Sequence, residues 1–220
     1  MKQAPVITID GPSASGKGAV ASRVADALDF HYLESGALYR LVALEALRKA
    51  ITEKDRLVET ARQLPVNFHN ERITLSDQDV TDAIRTEECG VKASEVARIP
   101  EVRKALLTRQ RAFRMPPGLV ADGRDMGTVV FPDAELKVFL TASPEIRAER
   151  RYKQLKDKGI DANLRALSRD LQERDARDAS RPVAPLKPAP DSQVLDSSAL
   201  AIDQVVDQIV AWWRERKGGA

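Results

Sequence analysis

Val6-Ile7-Thr8-Ile9, then Asp10, then Gly11-Pro12-Ser13-Ala14-Ser15-Gly16-Lys17-Gly18 carries the chain from an apolar, β-branched run into a glycine-punctuated loop. The run reads as a short buried strand. Beyond the loop, Val20, Val24 and Leu28 recur every fourth position, as on one face of a helix. Strand, glycine loop and helix in that order make G-x-x-x-x-G-K a phosphate cradle. The glycines let successive N–H groups turn onto an anion. The helix N-terminus adds partial positive charge, and Lys17 reaches the terminal phosphates. The segment predicts a nucleotide site and an α/β fold.

One position departs from the generic loop. A Ser or Thr that ligates Mg²⁺ commonly follows the lysine, but here Gly18 follows it. Nucleoside monophosphate kinases commonly read Gly-Lys-Gly-Thr at this point, and the chain resembles them except that Ala19 stands in place of the Thr. No hydroxyl follows Lys17 until Ser22. Mg²⁺ is therefore expected on phosphate oxygens, waters and a carboxylate elsewhere. This points away from GTPases and motor ATPases, and no Asn-Lys-x-Asp guanine-reading segment occurs.

A length of 220 residues suits one globular domain, or one with a small insert. A net charge of +2 argues against a broad nucleic-acid or anionic-membrane surface, though not against a local basic pocket. Cys89 is the single cysteine, so no internal disulfide forms, and it reads as a small buried residue rather than a nucleophile. The sequence has neither a charged-then-apolar leader nor a run of 18 apolar residues. A cytoplasmic soluble protein is expected.

Further along, Phe30-His31-Tyr32-Leu33 is a candidate second strand, with His31 a strand side chain rather than a ligand. Ser35-Gly36 stands at a strand-to-helix junction able to present a hydroxyl and N–H groups to a second anion, with a helix from Ala37. From about Leu64, Val66 to His69, the polar turn Asn70-Glu71 and Arg72 to Leu75 alternate like antiparallel strands, His69 on the solvated face, and Asp79-Val80-Thr81 extends the pattern. Residues 91–114 are helical in pattern, broken near Pro100 and rich in arginine. They lack the interleaved aromatics of a base-stacking stripe.

Gly118-Leu119-Val120-Ala121-Asp122 reads as a strand ending in a carboxylate, where parallel sheets face their ligands. Asp122 is thus placed for a water on Mg²⁺, with Arg124 and Asp125 on the loop beside it. Leu136 to Leu140 is a further strand. Ser143-Pro144-Glu145 starts a helix on which Arg147, Arg150 and Arg151 share a face. Lys156 to Asn163, with Gly159, separates it from a second charged helix bearing Arg174, Arg177 and Arg181 on one stripe. A salt-bridged surface and a lid closing over phosphates both fit this pattern. A proline-rich stretch, a short strand Gln193 to Asp196 and an amphipathic helix with packing residues Trp212 and Trp213 complete the chain.

With these stretches in view, the chain resembles the bacterial cytidylate kinases (CMP/dCMP kinases) over nearly its whole length. The resemblance rests on residues 7–13, on the specific run Asp122-Gly123-Arg124-Asp125-Met126-Gly127-Thr128-Val129-Val130-Phe131-Pro132-Asp133, on Glu173-Arg174-Asp175 and on Val183-Ala184-Pro185-Leu186. It implies transfer of the ATP γ-phosphate to CMP or dCMP with Mg²⁺ by a cytoplasmic monomer. The implied fold is a P-loop five-stranded parallel sheet with helices on both faces, a small antiparallel nucleotide-binding insert and a helical lid. The boundaries expected are a core of residues 1–63, 115–146 and 182–220, an insert of about 64–114 and a lid of about 147–181.

The resemblance also assigns roles. ATP falls to Gly11 through Ala19 with Lys17, and the acceptor to Ser35, Arg40, Ser94, Arg103, Arg124, Asp125, Arg174, Asp178 and Arg181. Cytosine's N4 amino group wants Asp125 or Ser94, and its N3 and O2 want Arg103. The sugar falls to Arg174 and Asp178, and the acceptor phosphate to Arg40, Arg124 and Arg181, while Arg150 and Arg151 screen the transferring group. Catalysis is then alignment and cationic stabilisation, helped by exclusion of water. The rivals are a kinase for UMP or shikimate, and a non-catalytic P-loop protein binding RNA through its arginines.

Overall fold

The computed structural model describes residues 3–69, 72–157 and 159–218. In chain order the elements begin with β1 (Val6–Asp10), α1 (Lys17–Leu28), β2 (His31–Glu34), α2 (Ser35–Arg48) and α3 (Lys54–Gln63). Next come β3 (Val66–His69), β4 (Arg72–Leu75), β5 (Gln78–Asp79), α4 (Glu87–Val96) and α5 (Pro100–Ala112). The chain closes with β6 (Leu119–Gly123), a π-helix at Met126–Val130, β7 (Leu136–Thr141), α6 (Pro144–Asp157), α7 (Leu164–Ala179), β8 (Gln193–Asp196) and α8 (Ile202–Gly218). They divide into two compact units, Met1–Leu33 with Phe113–Ala220, and Glu34–Ala112.

The first unit holds a five-stranded parallel sheet in the order β2-β6-β1-β7-β8. β1 lies in the middle and all five of its residues are buried, because helices and neighbouring strands exclude water from both faces. On one face α1 turns Val20, Ala21, Val24 and Ala25 inward, where they join Ile7, Ile9, Val120 and Val138 and the α8 residues Val205, Ile209 and Trp213. Each large apolar side chain so buried contributes about 1.5–3 kcal/mol. Trp213 also meets the Phe30 ring edge-on at 5.5 Å, so its role is packing. Register pairs Ile9 with Asp122, Asp10 with Gly123 and Thr141 with Asp196, which brings the strand C-termini to one edge.

The second unit differs from the expected insert. It begins at Glu34, so a boundary at 64 falls inside it. The reason is packing: α2 lies against α4, and α3 against α5. α3 escaped the sequence reading altogether, although Leu57, Val58 and Ala61 form its buried face. β3, β4 and β5 make the small antiparallel sheet. The Asn70-Glu71 turn lies outside the described residues, as does the side chain of His69. The third strand ends at Asp79 instead of covering 79–81. Val80 turns inward at 1% exposure, and the Thr81 hydroxyl accepts from the Ile73 N–H (3.0 Å). The arginine-rich segment is two helices, with Pro100 opening the second as a first-turn proline. Cys89 is fully buried.

Candidate active site

The loop after β1 leads into α1, whose N-cap Gly16 makes no side-chain cap. Nothing from the cap side chain therefore competes for the first-turn amides. Lys17 opens the helix and folds back so that its Nζ donates to the Pro12 carbonyl (3.0 Å). Burial, then the nearby Arg124 charge, lowers Lys17 to about 7, with Asp122 pulling the other way. Asp122, at the end of β6, accepts from the Tyr32 hydroxyl (3.0 Å). A Cβ at position 18 would stand 3.3 Å from the Asp122 carboxylate, so the glycine after Lys17 keeps that carboxylate uncrowded beside the loop.

This arrangement suits Mg²⁺ carried on phosphates. Among the described residues no cluster of three or more His, Cys, Asp or Glu is assembled for a metal. Mg²⁺ keeps several waters and takes few protein ligands. Asp122 is a buried carboxylate beside the phosphate loop, of the kind such an ion takes through water.

Asp10, at the end of β1, was not singled out from the sequence. Its two carboxylate oxygens accept the N–H groups of Met126 and Gly127, each at 2.8 Å. Those bonds fix the π-helix that follows Arg124 and Asp125. Burial pushes Asp10 up to about 7, against the pull of the same two N–H bonds. Asp125 is itself buried, and its carbonyl accepts from Val129 (2.9 Å) and Val130 (3.2 Å).

Beside the loop lies a charged network. Arg124 donates Nε to Asp178 (2.8 Å) and Nη2 to the Ser13 hydroxyl (2.8 Å). Arg181 donates to the other oxygen of Asp178. Burial would raise the Asp178 carboxyl, but Arg124 and Arg181 outweigh it and hold it below the ordinary carboxylate value. Arg174, one turn before Asp178 on α7, adds its charge to the fields at both Lys17 and Asp178.

The expected arginine face of α6 is split. Arg147 and Arg150 reach the loop, whereas Arg151 donates to Gln154 on its own helix (2.6 Å). Neighbours in a helix point about 100° apart, which is why 150 and 151 diverge. Arg150 donates to the Ser15 carbonyl (3.1 Å) and the Ser197 carbonyl (2.6 Å), so in this structure it braces the loop backbone.

In the second unit, Ser35 is the buried first residue of α2. Arg40 donates to the carbonyls of Ile84 (2.6 Å) and Thr86 (3.4 Å). It lies over Gly90, where a Cβ would come within 3.1 Å of Nη2. A glycine inside the helical run 87–96 was the available sequence signal for that close approach. Arg103 is buried, donates to the Ala97 carbonyl (3.3 Å) and sits 5.4 Å from the Tyr39 ring centre. The Ser94 hydroxyl is buried with no hydrogen-bond partner among the described residues.

The first unit thus brings together the loop, Lys17, Asp122, Arg124, Asp125, Arg150, Arg174, Asp178 and Arg181. The structure adds Asp10, Arg147, Asp175 and Ser197 as their supports. Arg147 and Asp175 lie within stretches the sequence points to, but the supporting role of all four is visible only in their contacts.

Known proteins give the arrangement its context. A family model described as cytidylate kinase matches residues 7–215. A cytidylate kinase of Ralstonia pickettii is 58% identical over 97% of this chain and 94% of its own. One of Bordetella bronchiseptica is 59% identical over 96% of each, and one of Chromobacterium violaceum 57% identical over 97% of each. Among solved structures, a gluconokinase of Sinorhizobium meliloti shares the fold, with a TM-score of 0.50 at 16% identity over 99% of this chain and 97% of that one. The chain belongs to the cytidylate kinase family.

Proposed function

We propose that this chain transfers the γ-phosphoryl group of ATP to CMP and dCMP, ATP + CMP giving ADP + CDP. The observation that carries the reading is the family match across residues 7–215, within which the loop, Lys17 and the Arg124–Asp178–Arg181 network all lie. Gly11 through Ala19 hold the donor phosphates, with Lys17 on the terminal ones. Arg40, Arg124 and Arg181 take the acceptor phosphate, and Arg174 and Asp178 the sugar. Asp125 or Ser94 accepts from the N4 amino group of cytosine, and Arg103 donates to N3 and O2. Uracil carries an acceptor at position 4, which would leave a carboxylate unpaired and penalise UMP strongly.

The chemistry asks mainly for alignment. The acceptor phosphate is already anionic at pH 7, so no strong base is required. Arg150 and Arg151 are proposed to screen the transferring group once α6, α7 and the loop between them act as a lid over residues 147–181. Asp122 would hold a water of Mg²⁺, which when bound would supply neutralising charge to the donor phosphates. A cytoplasmic monomer completes the reading. Among the described residues no helix is long and apolar enough to cross a membrane.

The test is ADP release from ATP and Mg²⁺ with CMP, dCMP, UMP, AMP, GMP and shikimate offered singly. Turnover with CMP and dCMP alone is expected. Equal turnover with UMP would mean that the site does not read N4, and silence across the panel would overturn the reading.

A further inference from the structure

Ser13 is the third residue of the phosphate loop, and each of its polar groups is engaged. Its N–H donates to Asp175 Oδ1 (3.2 Å), its carbonyl accepts from Arg147 Nη1 (3.1 Å), and its hydroxyl accepts from Arg124 Nη2 (2.8 Å). Arg147 is 6% exposed, pairs with the second oxygen of Asp175, and anchors its Nε on the Ala142 carbonyl (3.1 Å). One ion pair, formed between α6 and α7, therefore grips the backbone of Ser13 from both sides.

The next residue supplies a reason for the grip. Ala14 has φ 58°, in the left-handed region that strains a residue carrying a Cβ. Such a conformation persists only where the surroundings over-determine it. The clamp on Ser13 fixes the peptide that enters Ala14. The loop amides beyond that turn are the ones the kinase reading assigns to the donor phosphates.

We propose that the Arg147–Asp175 pair is a positioning device for phosphoryl transfer: it holds Ser13, and through Ser13 keeps Ala14 left-handed and the loop amides aimed at the donor phosphates. It touches neither nucleotide and acts through the loop backbone. The inference rests on the kinase reading above. It adds that α6 and α7 set donor geometry even before any lid movement, because their ion pair is built into the loop.

Removing one partner would strand a buried charge and risk the fold, so the main variant replaces both, Arg147→Met with Asp175→Leu. With the fold checked by circular dichroism and thermal unfolding, KM for ATP should rise about tenfold, the worth of one to two hydrogen bonds. KM for CMP should move much less. Asp175→Asn, which keeps an acceptor for the Ser13 N–H, should restore most of the ATP affinity if it folds.

A second measurement reads the coupling between the clamp and the turn. If the clamp exists to hold a strained turn, Ala14→Gly should reduce the penalty of the Arg147→Met, Asp175→Leu double variant, a coupling visible in a double-mutant cycle. A folded double variant with wild-type KM for ATP would overturn the proposal, as would equal rises in both KM values or penalties that add without coupling. Wild-type protein assayed alongside separates the two readings. No CMP-dependent ADP release from it would overturn the kinase reading instead.

Discussion

The two units hold their candidate residues by different means. In the unit that carries the loop, charged side chains hold one another: Arg124 and Arg181 share Asp178, Arg147 pairs with Asp175, and Asp10 caps the turn after Asp125. In the unit of residues 34–112, the guanidinium groups are oriented by main-chain carbonyls, Ile84 and Thr86 for Arg40 and Ala97 for Arg103, and Ser94 keeps a buried hydroxyl unmatched. The contrast separates two kinds of fragility. Where carboxylates and arginines are buried together, deleting one member harms stability and function at once. Where a buried hydroxyl has no partner among the described residues, deleting it should leave stability untouched, and any ligand role would show in function alone.

Asp178→Ala gives the largest expected effect. It leaves Arg124 and Arg181 buried beside a missing carboxylate, so unfolding free energy should fall by about 3–5 kcal/mol. Denaturant unfolding with an unchanged midpoint would show that the network contributes nothing to the fold. Lys17→Ala should follow, with kcat lower by roughly a hundredfold or more, the scale of losing one preorganised donor to a developing charge. Circular dichroism should remain native. Wild-type turnover in that variant would remove Lys17 from the site.

Ser94→Ala probes the other unit. An unpaired buried hydroxyl costs desolvation without return, so its removal should leave the melting temperature unchanged or slightly raised. KM for CMP should nevertheless rise several-fold, by the worth of one hydrogen bond of about 1 kcal/mol. A fall in melting temperature without a change in KM would reverse the comparison and make Ser94 a structural residue.

The sequence made the sheet legible because hydrophobic runs, a glycine loop and strand-end carboxylates are local signals. Val6 to Asp10, Leu136 to Leu140 and the helix after Ser143 all lie where their periodicity and caps place them. α3 was missed because its three apolar positions are diluted among charges, and packing against α5 and α2 decides its fate. The boundary at 34 was illegible for the same reason. A unit is defined by which helices pack together, and no composition change marks Glu34. Within the site, Arg124, Asp178 and Arg181 were named for phosphate and sugar, and the structure shows them as each other's partners. Sequence spacing reveals that charges can meet, but not which carboxylate each arginine takes. Asp10, Arg147 and Asp175 act on backbone groups of distant residues, and no short motif records such a contact.

The smallest predicted effect tests the electrostatics of the loop directly. Lys17 is lowered to about 7 by burial and by Arg124, so near pH 8 the free protein holds it largely neutral. An anion placed against it favours the charged form and raises it again. ATP binding should therefore take up a fraction of a proton above about pH 8, where the donor phosphates are already ionised. By linkage, affinity then falls as pH rises between the free and bound values, and levels off below about 7, where Lys17 is charged in both states. Calorimetry in two buffers of different ionisation enthalpy reads this uptake as a difference in heat. Lys17→Met should abolish it. Identical heats in both buffers for the wild type would mean that Lys17 is already charged in the free loop.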